Sequence, residues 1–194
     1  MTAMRNTRPR QVPAFNWSQV LSAYDRSVLV QLFTEAGVAY TSNYGIPYHE
    51  QERYFHQLGQ VLESAEHVRE KLKSCGPAEL GILNAVLRAG GQARPSRVYK
   101  EVRHLVRPID AEEMTAQYTG TPTFDDACLR LLTYGLMFTG NAYQLFTQRF
   151  KQRIYIPAPI FNLLNTDPRC KEALARKFPP APLPGTPELI STSS

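Results

Sequence analysis

The chain has 194 residues, 43% of them apolar, which is enough to bury the core of one large or two small domains. Its formal net charge of +5 indicates an anionic partner only where the basic residues cluster locally. No apolar run approaches the roughly 20 residues of a membrane-spanning helix, and three cysteines fit neither a disulfide framework nor a CxxC metal site. We therefore expect a cytoplasmic protein with reduced thiols and no membrane partner.

Residues 1–14 are polar, carry Arg5, Arg8 and Arg10, and are predicted to form a flexible basic arm. From Trp17 onwards, apolar residues recur at three- and four-residue steps until Gly37, a spacing that predicts an amphipathic helix. Asp25 is a candidate break within this helix. The apolar positions are Val20, Leu21, Tyr24, Val28, Leu29, Leu32 and Phe33.

A second, long helix is predicted from Pro47 to Ser74, where apolar residues keep a spacing close to 3.5. Its opposite face is charged and carries Glu52, Glu63, Glu66, Glu70 and Lys71. Two interpretations stay open: these charges flank a helical dimer seam, or the helix packs on its own neighbours with a solvated outer face. Residues 15–75 are thus predicted to be a helical region for docking or dimerisation, with a homodimer or partner protein bound through residues 17–74.

Gly76-Pro77 breaks the pattern and is the predicted domain boundary. Three short helices are expected after it. The first ends at Gly90-Gly91, the second begins at Pro95 and continues to Pro108, and the third begins at Thr121 or Thr123 and ends at Gly135. Their inward residues are expected to be Leu80, Leu83, Val86 and Leu87, then Val98, Val102 and Leu105, then Cys128, Leu131, Leu132 and Tyr134.

The period then changes to that of short β-strands, at 136–138, 143–146 and 153–156, with a turn at Gly140-Asn141. A closing helical turn follows at 160–164. We therefore expect a mainly α fold with a small β-hairpin. Residues 165–194 are assigned to a proline-rich, disordered tail.

Three short helices followed by a hairpin are the order of a winged helix, a variant of the helix-turn-helix. The strings ELGILNAVLRAGG (79–91), LLTYGL (131–136) and IYIP (154–157) resemble winged-helix domains: a first helix ending in a glycine turn, a Gly-Leu corner after the third, and a wing returning to proline. The resemblance covers residues 77–164, which we assign to a winged-helix-like domain. With its N-terminal helical region and I-P-x-P-I exit, the chain also resembles the non-catalytic helicase-associated domain of XPB-type bacterial proteins. This implies DNA binding or partnership with a helicase.

Basic residues cluster in two places. The first cluster comprises Arg94, Arg97, Lys100, Arg103, His104 and Arg107. Its spacing of three or four residues places it along one flank of the second helix, and with five Arg or Lys residues against Glu101 the segment 94–107 has a net charge of +4. The second cluster, Arg149, Lys151 and Arg153, alternates along a predicted wing and would share one face of an extended strand. Both suit contacts to phosphates, although a solvated helix face would show the same composition.

The start of the third helix departs from the winged-helix pattern. A DNA-reading helix presents polar or basic side chains to the major groove, whereas here Asp125 and Asp126 come first and Arg130 follows one turn later. We expect the two aspartates to stabilise the helix N-terminus instead. Arg130 is kept as a candidate contact to DNA.

The sequence contains no GxxxxGK[ST], HExxH, GxSxG or GxGxxG motif, so nothing in it predicts an ATPase, a zinc or serine hydrolase, or a dinucleotide cofactor. His104-Leu105-Val106-Arg107 resembles the HxxR element of tyrosine recombinases, with Tyr143 as the matching nucleophile, but no upstream arginine box is found. We therefore predict no enzyme, no cofactor and no metal site.

Together these features predict a non-enzymatic DNA-binding or nucleoprotein-accessory factor. Its contacts would be mostly to the backbone of duplex or single-stranded DNA, through the two basic clusters and Arg130. The alternative is a winged helix that serves as a scaffold for protein–protein interaction without binding DNA. The acidic start of the third helix favours the scaffold, and the basic clusters favour DNA.

Overall fold

The computed structural model describes residues 15–40, 48–108, 120–139 and 152–178. Within them the fold is mainly helical with a small antiparallel sheet, as predicted. The elements in chain order are α1 (Trp17–Leu21), α2 (Arg26–Glu35), α3 (Tyr48–Leu62), α4 (Ala65–Ser74), α5 (Pro77–Arg88), β1 (Gln92–Ala93), α6 (Pro95–Val102), α7 (Phe124–Thr133), β2 (Phe138–Thr139), β3 (Ile154–Tyr155), α8 (Ala158–Thr166) and α9 (Pro168–Leu174). No helix among the described residues is both long and apolar enough to cross a membrane.

The first predicted helix is divided in two at the candidate break. The Asn16 side chain caps α1 by accepting a hydrogen bond of 3.1 Å from the Gln19 amide, and Asp25, in extended conformation, is the N-cap residue of α2. Gly37 follows α2 with φ +68°, the left-handed conformation that ends helices. Asp25 therefore does interrupt the helix that the periodicity predicts.

The prediction of a single helix from Pro47 to Ser74 is wrong, because the chain forms two helices that meet at Glu63-Ser64. Ser64 leaves the helical conformation and its hydroxyl accepts a hydrogen bond of 3.2 Å from the His67 amide, which caps α4. The carboxylate of Glu63 accepts a hydrogen bond of 2.5 Å from Trp17 Nε1 on α1. This hydrogen bond therefore links α1 to the corner between α3 and α4.

The apolar stripe of α3 and α4 is buried inside the chain. Phe55, Leu58, Leu62, Val68 and Leu72 are at most 2% exposed and belong to one core cluster that also contains residues of α5 and α7. Of the two interpretations, the structure favours packing of this helical region on its own neighbours, because a dimer seam would leave the apolar stripe exposed in the single chain. The same core continues across the predicted boundary at Gly76-Pro77, so the segments on both sides of it pack together.

Beyond Pro77, the three predicted helices are present as α5, α6 and α7. Gly91 follows α5 with φ +88°, Pro95 begins α6, and Gly135 follows α7 with φ +73°. The second helix was predicted to continue to Pro108, but α6 already ends at Val102.

Among the described residues the sheet has three strands in the order β1-β3-β2, all antiparallel. Tyr155 of β3 pairs with Gln92 of β1 on one side and with Phe138 of β2 on the other. The predicted strands around Phe138 and Ile154 are confirmed, while β1 was not predicted because two residues show no periodicity. The turn at Gly140-Asn141 and the strand at 143–146 lie outside the described residues.

The assignment of residues 165–194 to a disordered tail is wrong at its start. Asp167 caps α9 by accepting hydrogen bonds from the amides of Arg169 and Cys170, at 2.8 and 3.1 Å. Cys170 and Leu174 are buried, and α9 packs against α4 and α8. Residues 179–194 lie outside the described residues, as does the predicted arm of residues 1–14.

Candidate nucleic-acid interface

The first basic cluster lies on the outer face of α6 and beyond both ends of the helix. Val98 and Val102, 1% and 2% exposed, bury the inner face, and the Tyr99 ring packs edge-on against Phe124 of α7 with centroids 5.6 Å apart. These contacts turn the opposite face to solvent. Five exposed basic residues are named here the α6 flank: Arg97 and Lys100 on this face of α6, and Arg94, Arg103 and His104 directly beyond the ends of the helix. The prediction that a single helix carries the whole cluster is therefore wrong.

Arg107 does not belong to the α6 flank, contrary to the prediction. Because α6 ends at Val102, the chain turns away, and the Arg107 amide donates a 2.9 Å hydrogen bond to the Pro122 carbonyl ahead of α7. Arg107 forms an isolated bridge with Thr123 and lines an open groove of about 650 Å³ between α2 and α7. Glu35, Asp126 and Arg130 line the same groove, so its charges are mixed.

Glu101 lies on the same side of α6 and offsets part of the basic charge of the α6 flank. Its carboxylate oxygens are 2.8 Å from Arg88 Nη2 of α5 and 3.9 Å from Arg97 Nε. The ion pairs connect α6 to the last turn of α5 and bring Arg88 next to the flank. Arg88 was missed because it precedes a glycine turn and shares no periodicity with the cluster at 94–107.

Arg130 has a structural partner. Its Nη1 donates a 3.1 Å hydrogen bond to Oε1 of Glu79, whose side chain is only 2% exposed. The other oxygen of Glu79 accepts a 3.1 Å hydrogen bond from the Gly76 amide at the start of α5. A buried carboxylate needs such partners to offset its desolvation. Arg130 therefore neutralises a core carboxylate, and its role as a DNA contact stays a prediction.

The third predicted helix, α7, presents little positive charge. Asp126 and Thr123 form a reciprocal capping box: the Thr123 hydroxyl accepts from the Asp126 amide at 3.1 Å, and the Thr123 amide donates to Asp126 at 3.3 Å. The predicted structural role is confirmed for Asp126. Asp126 and Arg130 are the exposed residues of α7, and α2 packs along another side of the helix.

Of the second basic cluster, Arg153 is exposed directly before β3, whereas Arg149 and Lys151 lie outside the described residues. The base of the predicted wing is held by Tyr24, which was not predicted as a site residue. Tyr24 Oη donates to the Thr139 carbonyl and accepts a 2.9 Å hydrogen bond from the Thr139 amide. The Thr139 hydroxyl in turn donates to the Arg153 carbonyl at 3.3 Å. Burial raises the pKa of Tyr24, so the phenol stays protonated.

Of the residues singled out for chemistry, the structure describes His104 and Arg107. His104 is exposed on a turn, the Arg107 amide is bonded to Pro122, and Tyr143 lies outside the described residues. Burial raises the pKa of the Cys75 thiol to about 12 and that of Cys128 further, so neither is an activated nucleophile. Among the described residues no group of three His, Cys, Asp or Glu side chains could hold a metal ion.

No model of a known protein family matches the chain, and neither a characterised protein nor a solved structure is detectably similar to it.

Proposed function

We propose that this protein is a non-enzymatic DNA-binding or nucleoprotein-accessory factor that contacts the phosphate backbone through the α6 flank. The observation that carries the proposal is a group of five exposed basic residues on α6 and directly beyond its two ends, with the other face of the helix buried. Arginine and lysine side chains held in this way contact phosphates without reading base edges. Arg153 at the base of the predicted wing would add a further contact.

The order of elements from α5 to β3 supports the winged-helix assignment. The order helix, strand, helix, helix, strand, strand, with the third strand between the other two, is that of a winged helix. In such a module α7 would be the recognition helix. Its exposed residues are an aspartate and an arginine bonded to a buried glutamate, which argues against readout of bases by α7. We therefore infer DNA binding that depends little on base sequence and strongly on salt concentration.

The test is a fluorescence anisotropy titration of duplex and single-stranded DNA over a range of salt concentrations. The Arg97→Ala/Lys100→Ala variant is compared with Arg26→Ala/Arg53→Ala, which removes the same charge from exposed positions on α2 and α3. We expect the α6 variant alone to bind more weakly and to reduce the slope of log K against log [salt] by about 1 to 2. Equal losses in both variants would mean that net charge, and not the α6 flank, attracts DNA.

The second candidate is a protein-interaction scaffold that does not bind DNA. The packing of α2 against α7 and the pairing of Arg130 with Glu79 favour it, because both occupy the surface that a DNA-reading helix leaves free. The same titration separates the two candidates. A wild-type protein with no measurable affinity at low salt would exclude DNA binding and leave the scaffold.

A further inference from the structure

Next to the α6 flank lies a groove formed by α5, α8 and α9. Arg88, at the end of α5, connects the two, because it pairs with Glu101 of α6 and also lines a groove bounded by α8 and α9. This groove has a volume of about 400 Å³, is open to solvent, and is lined by both Arg88 of α5 and Lys171 of α9.

The charge of this groove distinguishes it from other grooves on the described surface. Among the described residues that line it, only Arg88 and Lys171 are charged, and the rest are Asn84, Leu87, Leu164, Asn165, Leu174 and Ala175. By contrast, the groove between α4 and α9 contains Glu66, Glu70 and Glu172 beside its basic residues, and the groove between α2 and α7 contains Glu35 and Asp126. The described lining of the groove thus offers an anion no carboxylate, and the one carboxylate near Arg88 is that of Glu101, its ion-pair partner on α6.

The helices around the groove contact one another directly. Asn84 Nδ2 donates a 3.2 Å hydrogen bond to the Leu174 carbonyl and ties α5 to the end of α9. A β-carbon at Gly91 would come within 2.8 Å of the Phe161 ring, so the turn after α5 lies directly against α8. Arg88 and Lys171 themselves are exposed at the rim.

We propose that the nucleic-acid surface extends from the α6 flank over Arg88 to Lys171, so that the phosphate backbone of one bound DNA molecule runs along both. The inference rests on the proposed function, because it assigns a longer path to the same ligand. It predicts phosphate contacts from α9, a helix that sequence reasoning placed in a disordered tail. Each lost phosphate contact lowers the salt slope by about 0.9 for duplex DNA.

The decisive variant is Lys171→Ala, because Arg88 is the residue that pairs with Glu101 and its loss would also loosen α6. Its matched control is Lys177→Ala, an exposed lysine outside the groove. In salt titrations with duplex DNA we expect Lys171→Ala to reduce the slope by about 1 and Lys177→Ala to leave it unchanged. Thermal melting verifies that both variants are folded.

Site-directed crosslinking locates the DNA independently. The native thiols at Cys75, Cys128 and Cys170 are buried, so a cysteine introduced by Lys171→Cys is selectively labelled with a photocrosslinker. Arg97→Cys reports the α6 flank, and Arg53→Cys on α3 is the negative control. Crosslinks from positions 97 and 171 support the proposal. Crosslinking at 97 without 171, together with an unchanged slope for Lys171→Ala, would overturn the extension and keep the proposed function. Absence of any DNA binding would overturn both.

Discussion

Replacement of Arg130 by alanine separates a structural role for this residue from a role in binding DNA. The change removes the Arg130 guanidinium from the Glu79 carboxylate, which is 2% exposed and keeps its 3.1 Å hydrogen bond from the Gly76 amide. Removing one partner of a fully buried ion pair costs about 3–5 kcal/mol, because the other charge stays buried and uncompensated. The Arg130 side chain is 53% exposed, and water screens its half of the pair, so we expect a loss of about 2 kcal/mol.

For a chain of this size, a loss of about 2 kcal/mol lowers the melting temperature by roughly 4–8 °C. The assay is urea unfolding at neutral pH, followed by circular dichroism, in a double-mutant cycle with Glu79→Gln. In the Glu79→Gln background the side chain is neutral and no charge is left unpaired, so the Arg130→Ala change should cost less than about 1 kcal/mol there. A stability loss below about 0.5 kcal/mol in the wild-type background, together with weaker DNA binding, would refute the structural role and make Arg130 a DNA contact.

Three further changes test the charge of the α6 flank, the hydrogen bonds of Tyr24 and the pH dependence of stability. Glu101→Gln should raise DNA affinity by up to about fivefold at low salt, because it releases Arg88 and Arg97 from exposed ion pairs worth roughly 0.2–1 kcal/mol each. Glu52→Gln on α3 should leave affinity unchanged, and equal affinities of the two variants would contradict this. Tyr24→Phe should destabilise the protein by about 1–3 kcal/mol in urea unfolding, because the buried Thr139 amide and carbonyl lose their partner, and an unchanged midpoint would count against that bond. Burial lowers the pKa of His67, so the unfolded chain binds its proton at higher pH than the folded one, and stability should fall as pH drops through about 6.5. His67→Gln should flatten this dependence in unfolding curves from pH 5 to 8, and parallel curves would rule His67 out as its source.

Helices with an apolar stripe and a recognisable terminus could be predicted from the sequence. Helix α5 has the glycine turn after it, α6 has Pro95 in its first turn, and α7 has Thr123 as its cap. In each, the periodic residues are mostly buried, so local pattern and tertiary packing agree. The break between α3 and α4 was not predicted, because it contains neither glycine nor proline. It depends on the Ser64 hydroxyl and on a tryptophan of another helix.

The segment that forms α9 was wrongly assigned to a disordered tail, because the proline-rich composition after it was given more weight than the helix-start signal within it. Asp167-Pro168 is an N-cap followed by proline in the first turn, which is a helix start that the sequence does contain. The prolines from Pro179 onwards favoured disorder, and α9 was therefore assigned to the tail. Its buried face consists of Cys170 and Leu174, too few positions to show a helical period.

The candidate interface was predictable where it depends on neighbours in sequence and unpredictable where partners come from other helices. Spacing alone identified Arg94, Arg97 and Lys100 as one exposed flank. Arg130 could not be assigned in that way, because Glu79 lies 51 residues earlier in the chain. Arg88 is separated from Glu101 by 13 residues and a change of direction at Gly90-Gly91.

The N-terminal helices explain why a DNA-binding surface on this fold would lie away from α7. Helix α2 packs along α7, and Tyr24, from the turn between α1 and α2, bonds the backbone of β2, so two surfaces of the proposed winged helix are used for internal packing. A phosphate near the start of α7 would meet Asp125 and Asp126, whereas at the α6 flank it meets five exposed basic residues and one glutamate. The aspartates would repel a phosphate, whereas each arginine or lysine that replaces a counterion adds affinity. The α6 flank is therefore the favoured side for a phosphate contact. Because that side offers cations and no base-reading helix, the proposed DNA binding should depend weakly on base sequence and strongly on salt concentration.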